Sequence, residues 1–236
     1  MKGLYLLLDG ATILFPLLLS FDKKVAYVRQ WKYIFMASLI VGIPFLVWDI
    51  VFTARGIWGF NPDYLVGVYF YNLPLEEVLF FLFVPFSCLF IYECTKAYIH
   101  QNYTKQLNKL IYSLLACYIV FIGVGSFFFP GDYSLAVILS SAFTLAVLII
   151  CRDRVRFLPL AFMISLLPFL LVNGVLTGGF TAEPIVWYNT GERLPFGIFT
   201  IPVEDVLYCF TLIGLNAAVY ELLVYGTKPL EKELQE

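Results

Sequence analysis

Apolar residues run almost unbroken through this chain, and polar ones gather in short segments between the runs. The runs show no half-polar face of the kind a water-facing helix carries. Crossing a bilayer takes ~20 mostly apolar residues. Seven stretches answer to that: Leu4–Leu19, Tyr33–Phe52, Pro74–Tyr92, Leu110–Phe129, Ser134–Ile150, Phe157–Leu176 and Pro202–Val224. The segment after the first, Leu17-Leu18-Leu19-Ser20-Phe21, offers no small-x-small cleavage site, so the first stretch reads as a span rather than a signal peptide. The pattern predicts an all-α integral membrane protein of seven transmembrane helices.

The charges between the runs support that count. Lys23, Lys24, Arg29 and Lys32 follow the first span, Lys96, Lys105 and Lys109 the third, Arg152, Arg154 and Arg156 the fifth, and Lys228 and Lys232 the seventh. Of the 15 basic residues, only Lys2, Arg55 and Arg193 fall on the other side. Basic loops are retained in the cytoplasm, so the expected location is a bacterial-type inner membrane with the N-terminus outside and the C-terminus cytoplasmic.

Composition agrees. The chain has 236 residues, 61% hydrophobic and 14% charged, where soluble proteins carry about 25% charged residues. A net charge of −2 argues against a nucleic-acid partner, which calls for a clustered basic surface. Cys88, Cys94, Cys117, Cys151 and Cys209 lie in or beside apolar runs without a CxxC pair and read as small buried hydrophobes. The single histidine, His100, sits in a polar loop, which disfavours a histidine metal site or a Ser-His-Asp triad.

The chain repeats itself. Pro44-Phe-Leu-Val-Trp-Asp49-Ile-Val-Phe-Thr53 aligns with Pro168-Phe-Leu-Leu-Val-Asn173-Gly-Val-Leu-Thr177, and Pro74-Leu-Glu76-Glu77-Val-Leu-Phe80 with Pro202-Val-Glu204-Asp205-Val-Leu-Tyr208. The second register continues to Tyr92-Glu93 against Tyr220-Glu221. Spans one to three therefore match spans five to seven. An odd joining span gives two parallel three-helix repeats: residues 1–95, a linker with span four at 96–133, and residues 134–236.

An acid inside a span costs roughly 2.5–3.5 kcal/mol at the membrane centre and marks function by default. Pro-x-acid-acid is also simply a good helix start, with proline in the first turn and acids at the positive end of the dipole. Two copies, each after a span carrying Asp49 or Asn173, favour function. These six polar groups share one depth and are expected to converge on a pocket between the repeats. Adjacent acids diverge by ~100° on a helix, so one of each pair can face the pocket while its neighbour bonds a loop or the partner acid. A dry, protonated carboxyl can act as an acid. Glu93 and Glu221 read as interfacial anchors, and Asp9 has no assignment. Trp48, Tyr71, Phe80 and Tyr208 are candidates to face a cation with their rings, against the alternative of packing or an interfacial belt. The outer loops Trp58–Asp63 and Glu183–Asn189 read as lids or as ordinary connections.

These residues resemble the small membrane-embedded lycopene β-cyclases, in the form where two homologous three-span halves are fused. The resemblance covers essentially the whole chain. It rests on Trp48-Asp49, Gly59-Phe60-Asn61-Pro62, Asn72-Leu73-Pro74-Leu75-Glu76-Glu77, Glu183-Pro184, Trp187-Tyr188-Asn189 and Thr200-Ile201-Pro202-Val203-Glu204-Asp205. It implies a cofactor-free, redox-neutral isomerase acting on lycopene or a related acyclic carotenoid dissolved in the bilayer. Acid protonates a terminal double bond, the cation closes a six-membered ring, and a base removes a proton to leave a β-ionone end. The resemblance makes Glu76, Glu77, Glu204 and Asp205 the essential acids, without dividing donor from acceptor. There is no GxGxxG flavin fingerprint. The paired aspartate-rich motifs of intramembrane prenyltransferases are missing too, so no magnesium or other metal is expected.

The competing reading is a small proton-coupled transporter, which shares the three-one-three parallel layout. The Pro-Gln signature of small sugar transporters is absent, and the acids sit at one face rather than the midplane. A retinal protein would need a lysine in the last span, and Pro202–Val224 has none.

Overall fold

A chain this apolar must satisfy its backbone within each segment, and helices do so. The computed structural model describes residues 1–99 and 101–226; His100, Lys228 and Lys232 lie outside the described residues. Seven helices occupy the described residues: α1 Leu4–Leu19, α2 Trp31–Ala54, α3 Leu75–Tyr98, α4 Gln101–Phe128, α5 Asp132–Ile150, α6 Leu158–Leu176 and α7 Glu204–Tyr225. Six are long and apolar enough to cross a membrane; α1, with 16 residues, is shorter, at about 24 Å against a ~30 Å core. The linker helix α4 starts well before the expected Leu110. The protein is an all-α integral membrane protein whose strands, among the described residues, are short pieces in the loops at one end of the bundle.

Those pieces correct one expectation. A first-turn place is expected for Pro74 and Pro202, but both lie just before their helices, in strands β3 (Leu73–Pro74) and β6 (Ile201–Pro202). These pair antiparallel with β2 (Tyr69–Phe70) and β5 (Gly197–Ile198). Each motif is thus the second arm of a tight hairpin running straight into a helix.

The repeats interlock. α1 packs on α3, and α5 packs on α7 in the same way. α2 lies against both α3 and α7, and α6 against both α7 and α3. Each repeat's second helix therefore touches the other repeat's third, and α3 and α7 meet at the centre. α4 covers α5 and α6, and its Tyr118 hydroxyl donates to the Val203 carbonyl at 3.0 Å. Tyr27, Phe81, Phe86, Phe162, Phe210 and Ile213 are buried between these helices. Outward, residues spaced by four form exposed apolar stripes, such as Leu39-Ile43-Val47-Val51 and Leu135-Leu139-Phe143, as lipid contact requires. At the opposite end from the motifs, Glu221 is buried. It accepts from the Tyr92 hydroxyl (2.7 Å) and Lys96 (2.9 Å), and Lys96 also reaches Glu93 (2.8 Å). Glu93 and Glu221, expected as interfacial anchors, instead tie α3 to α7.

Candidate active site

The four motif acids are all buried, yet they divide into two kinds. Glu76 Oε1 accepts the Val66 N–H at 2.7 Å, and Glu204 Oε1 accepts the Leu194 N–H at 2.6 Å. Donor and acceptor are 10 residues apart in both cases. The first acid of each motif therefore pins the hairpin loop to its own helix start. Ser134, opening α5, adds its hydroxyl to Glu204 at 2.6 Å. Asp9, buried on α1, lies within electrostatic range of Glu76 and Glu77.

The second acids, Glu77 and Asp205, turn away from the loops by the angle between neighbouring helical positions. They line one shared cavity of about 50 Å³ at the repeat interface. Each is approached by a tyrosine 72 residues upstream: Tyr5 donates to Glu77 Oε2 at 2.6 Å, and Tyr133 to Asp205 Oδ1 at 2.5 Å. Sequence reasoning missed this pair. The signal was present, because Tyr5 and Tyr133 occupy the same register in spans one and five that the acids occupy in spans three and seven.

The remaining contacts differ between the copies. Asp205 also accepts from Asn173 Nδ2 at 2.7 Å and from the Tyr188 hydroxyl at 3.1 Å. It is thus ringed by three donors. Burial, and then the neighbouring Asp205 carboxylate, push the Tyr188 hydroxyl well above its usual range, which keeps it a donor. Glu77 has Tyr5 and, in the place of Asn173, the Asp49 side chain in hydrogen-bonding contact. Asp49 Oδ1 accepts from the Trp58 indole at 2.5 Å, whereas Asp49 Oδ2 finds no donor among the described residues.

The loops at the motif end close over these acids. β1 (Trp58–Phe60) comes from the first repeat and β4 (Val186–Tyr188) from the second, and they pair antiparallel, Trp58 opposite Tyr188 and Phe60 opposite Val186. Trp58, Phe60, Val186 and Tyr188 all line the cavity. Gly59 sits beneath the Trp187 indole, where a Cβ would come within 2.3 Å of the ring. The loops are therefore a roof shared by both repeats.

Of the four candidate aromatics, Phe80 and Tyr208 line the cavity. Trp48 packs behind it on Tyr208, with ring centroids 5.2 Å apart. Tyr71 is not brought to the site. It is 83% exposed at the β2–β3 turn, in a left-handed conformation that Phe199 repeats at the β5–β6 turn. Its ring belongs at the outer rim of the bundle, as interfacial aromatics do. Asn173 lines the cavity beside Asp205, and Asp49 stands behind Glu77. The site is an aromatic-lined cavity with one acid from each repeat, suited to moving protons on an apolar molecule. Among the described residues no group of three or more His, Cys, Asp or Glu side chains is arranged to hold a metal.

No curated protein and no solved structure gives a significant match to the chain. The family model described as Lycopene cyclase does match, over residues 2–95 and again over 131–223, so that both repeats are covered. With most of its length accounted for in this way, and in two copies, the chain belongs to the lycopene cyclase family.

Proposed function

We propose that the protein closes the ends of lycopene, or a related acyclic carotenoid, to β-ionone rings by acid–base catalysis without net redox change. The observation that carries this reading is that Glu77 and Asp205, one from each repeat, line a single buried aromatic cavity. Two carboxyls in hydrogen-bonding contact need a proton between them, because an ionised carboxylate only accepts. The Asp49–Glu77 pair therefore stores the proton that Glu77 gives to the terminal double bond. The cation formed is attacked by the next suitably placed double bond, and the six-membered ring closes. Asp205, which accepts from three donors, takes the ring proton that leaves as the new double bond forms. Its return to Glu77 completes the cycle with no atom gained or lost. Trp58, Tyr133, Tyr188 and Tyr208 present ring faces to the positive charge. Glu76 and Glu204 act as positioning residues, holding the loops that carry the roof.

The basic-loop pattern supports an orientation with the N-terminus outside, which puts the chamber in the outer half of an inner membrane. The transporter reading gains nothing from this arrangement, because the acids face a chamber closed by β1 and β4.

Expression in a lycopene-accumulating bacterium tests the proposal. The expected result is a shift from red acyclic to yellow-orange cyclic pigment. Glu77→Gln, Asp205→Asn and Asp49→Asn should each cut conversion by about 10²–10⁴, the usual contribution of a general acid or base, at unchanged membrane content. Unaltered lycopene beside well-inserted wild-type protein would refute the reading.

A further inference from the structure

Two larger apolar cavities flank the central helices, and the repeat relates them. One, about 360 Å³, lies between α1, α3 and α6 and includes Phe15, Ser87, Ser165 and Pro168. The other, about 530 Å³, lies between α5, α7 and α2 and includes their register equivalents Phe143, Leu215, Val41 and Pro44. Of these two, the first adjoins the acid chamber: Phe80, Phe169, Asn173 and Leu176 belong to the walls of both. The second shares no wall residue with the chamber.

Two positions separate the copies here: Leu176, a wall of both spaces, corresponds to Phe52 in the other repeat, where it packs on Trp48 (5.7 Å), and Val172 corresponds to a tryptophan. Val172 lines the open groove. The gap-free alignment of the proline blocks puts Trp48 at the equivalent place in the other repeat. Trp48 packs on Phe45 (5.6 Å) and Tyr208 (5.2 Å), and Phe45 packs on Tyr208 (5.3 Å). Phe45 walls the second cavity and Tyr208 walls the chamber, so this aromatic stack is the plug between them. In the open groove, valine leaves that space unfilled. From Phe80 to Ile91 the groove follows α3 for about 16 Å, and at its rim Ala11 and Phe15 are exposed on the lipid-facing side.

We infer that the α1–α3–α6 groove is the binding site for the acyclic polyene tail and its single lateral route to the acids, while Trp48 shuts the equivalent route in the other repeat. The occupant follows from this adjacency: an apolar groove abutting a cavity that holds two carboxyls suits a substrate whose reacting end is its tip. Phe80 and Phe169 stand at the junction and are the rings the tip displaces.

This inference rests on the cyclase reading, and the test separates the two. Val172→Trp gives the open groove the residue its counterpart holds. Ala11→Trp, at the exposed rim, blocks the same groove without touching packed residues, which covers the case in which Val172→Trp folds poorly. Ala218→Phe in the closed cavity installs the residue found at the equivalent Phe90. In lycopene-accumulating cells, at matched membrane content, Ala11→Trp and Val172→Trp should lose at least tenfold in conversion while Ala218→Phe stays within about twofold of wild type. Conversion by wild type with full activity in Ala11→Trp overturns the groove alone, and so does an equal loss in Ala218→Phe. A groove that merely holds a lipid acyl chain would give the first of these results. Absence of conversion by wild type overturns the cyclase reading, and the polyene as occupant with it.

Discussion

Neighbouring carboxylates on a helix point about 100° apart, and at both motifs that angle separates two tasks. Glu76 and Glu204 accept a backbone N–H, a role that asks only for an oxygen of the right reach. Glutamine supplies such an oxygen. Glu76→Gln should therefore keep pigment conversion within about tenfold of wild type, whereas Glu76→Ala, which leaves the Val66 N–H unpaired, should lose far more. Equal abolition by both substitutions would show that the Glu76 proton itself is used, as the family resemblance alone implies. The chemical asymmetry also sits at single residues. Asp49 and Asn173 are isosteric, yet one can share an acidic proton with its neighbour and the other donates an amide N–H to it.

At the level of elements, the loop Asn189–Leu194 sets the start of α5. Glu192 accepts the Asp132 N–H through its side chain (2.9 Å) and the Tyr133 N–H through its carbonyl (3.1 Å). Gly131 makes the approach possible, since a Cβ there would stand 2.3 Å from the Glu192 carbonyl. Gly131→Ala should destabilise by about 1–3 kcal/mol, the range for forced overpacking, and displace Tyr133 and Ser134 from their acids. Thermal unfolding in detergent and pigment conversion would both report it; an unchanged melting temperature would show that the loop yields. The helices were legible in the sequence because a bilayer leaves few alternatives: 16 or more apolar residues between charged loops can hardly be anything else. The repeat was legible from prolines and acids. The β1–β4 pairing was not, because three-residue strands from loops more than 120 residues apart carry no local signature. That one acid of each pair faces the pocket and its neighbour bonds a loop was legible; which one does so was not, since only the loop's return path decides which meets an N–H.

The whole molecule is a near-symmetric pair in which one of the two flanking cavities adjoins the chamber and the other does not. A polyene admitted by a single lateral route presents one end at a time, and the second end must leave, turn and return. A time course with limiting protein should therefore show one-ringed carotenoid rising before any two-ringed product. Two-ringed product appearing without it would contradict single access. The difference between Asp49 and Asn173 has a consequence for ancestry. A dimer of identical first repeats would hold two stored protons and nothing to receive one. A dimer of identical second repeats would hold two receivers and nothing to give. On the proposed division of labour neither assembly turns over, and the two copies work only together. Carriage on one polypeptide, with α4 between the repeats, keeps them at a ratio of one to one.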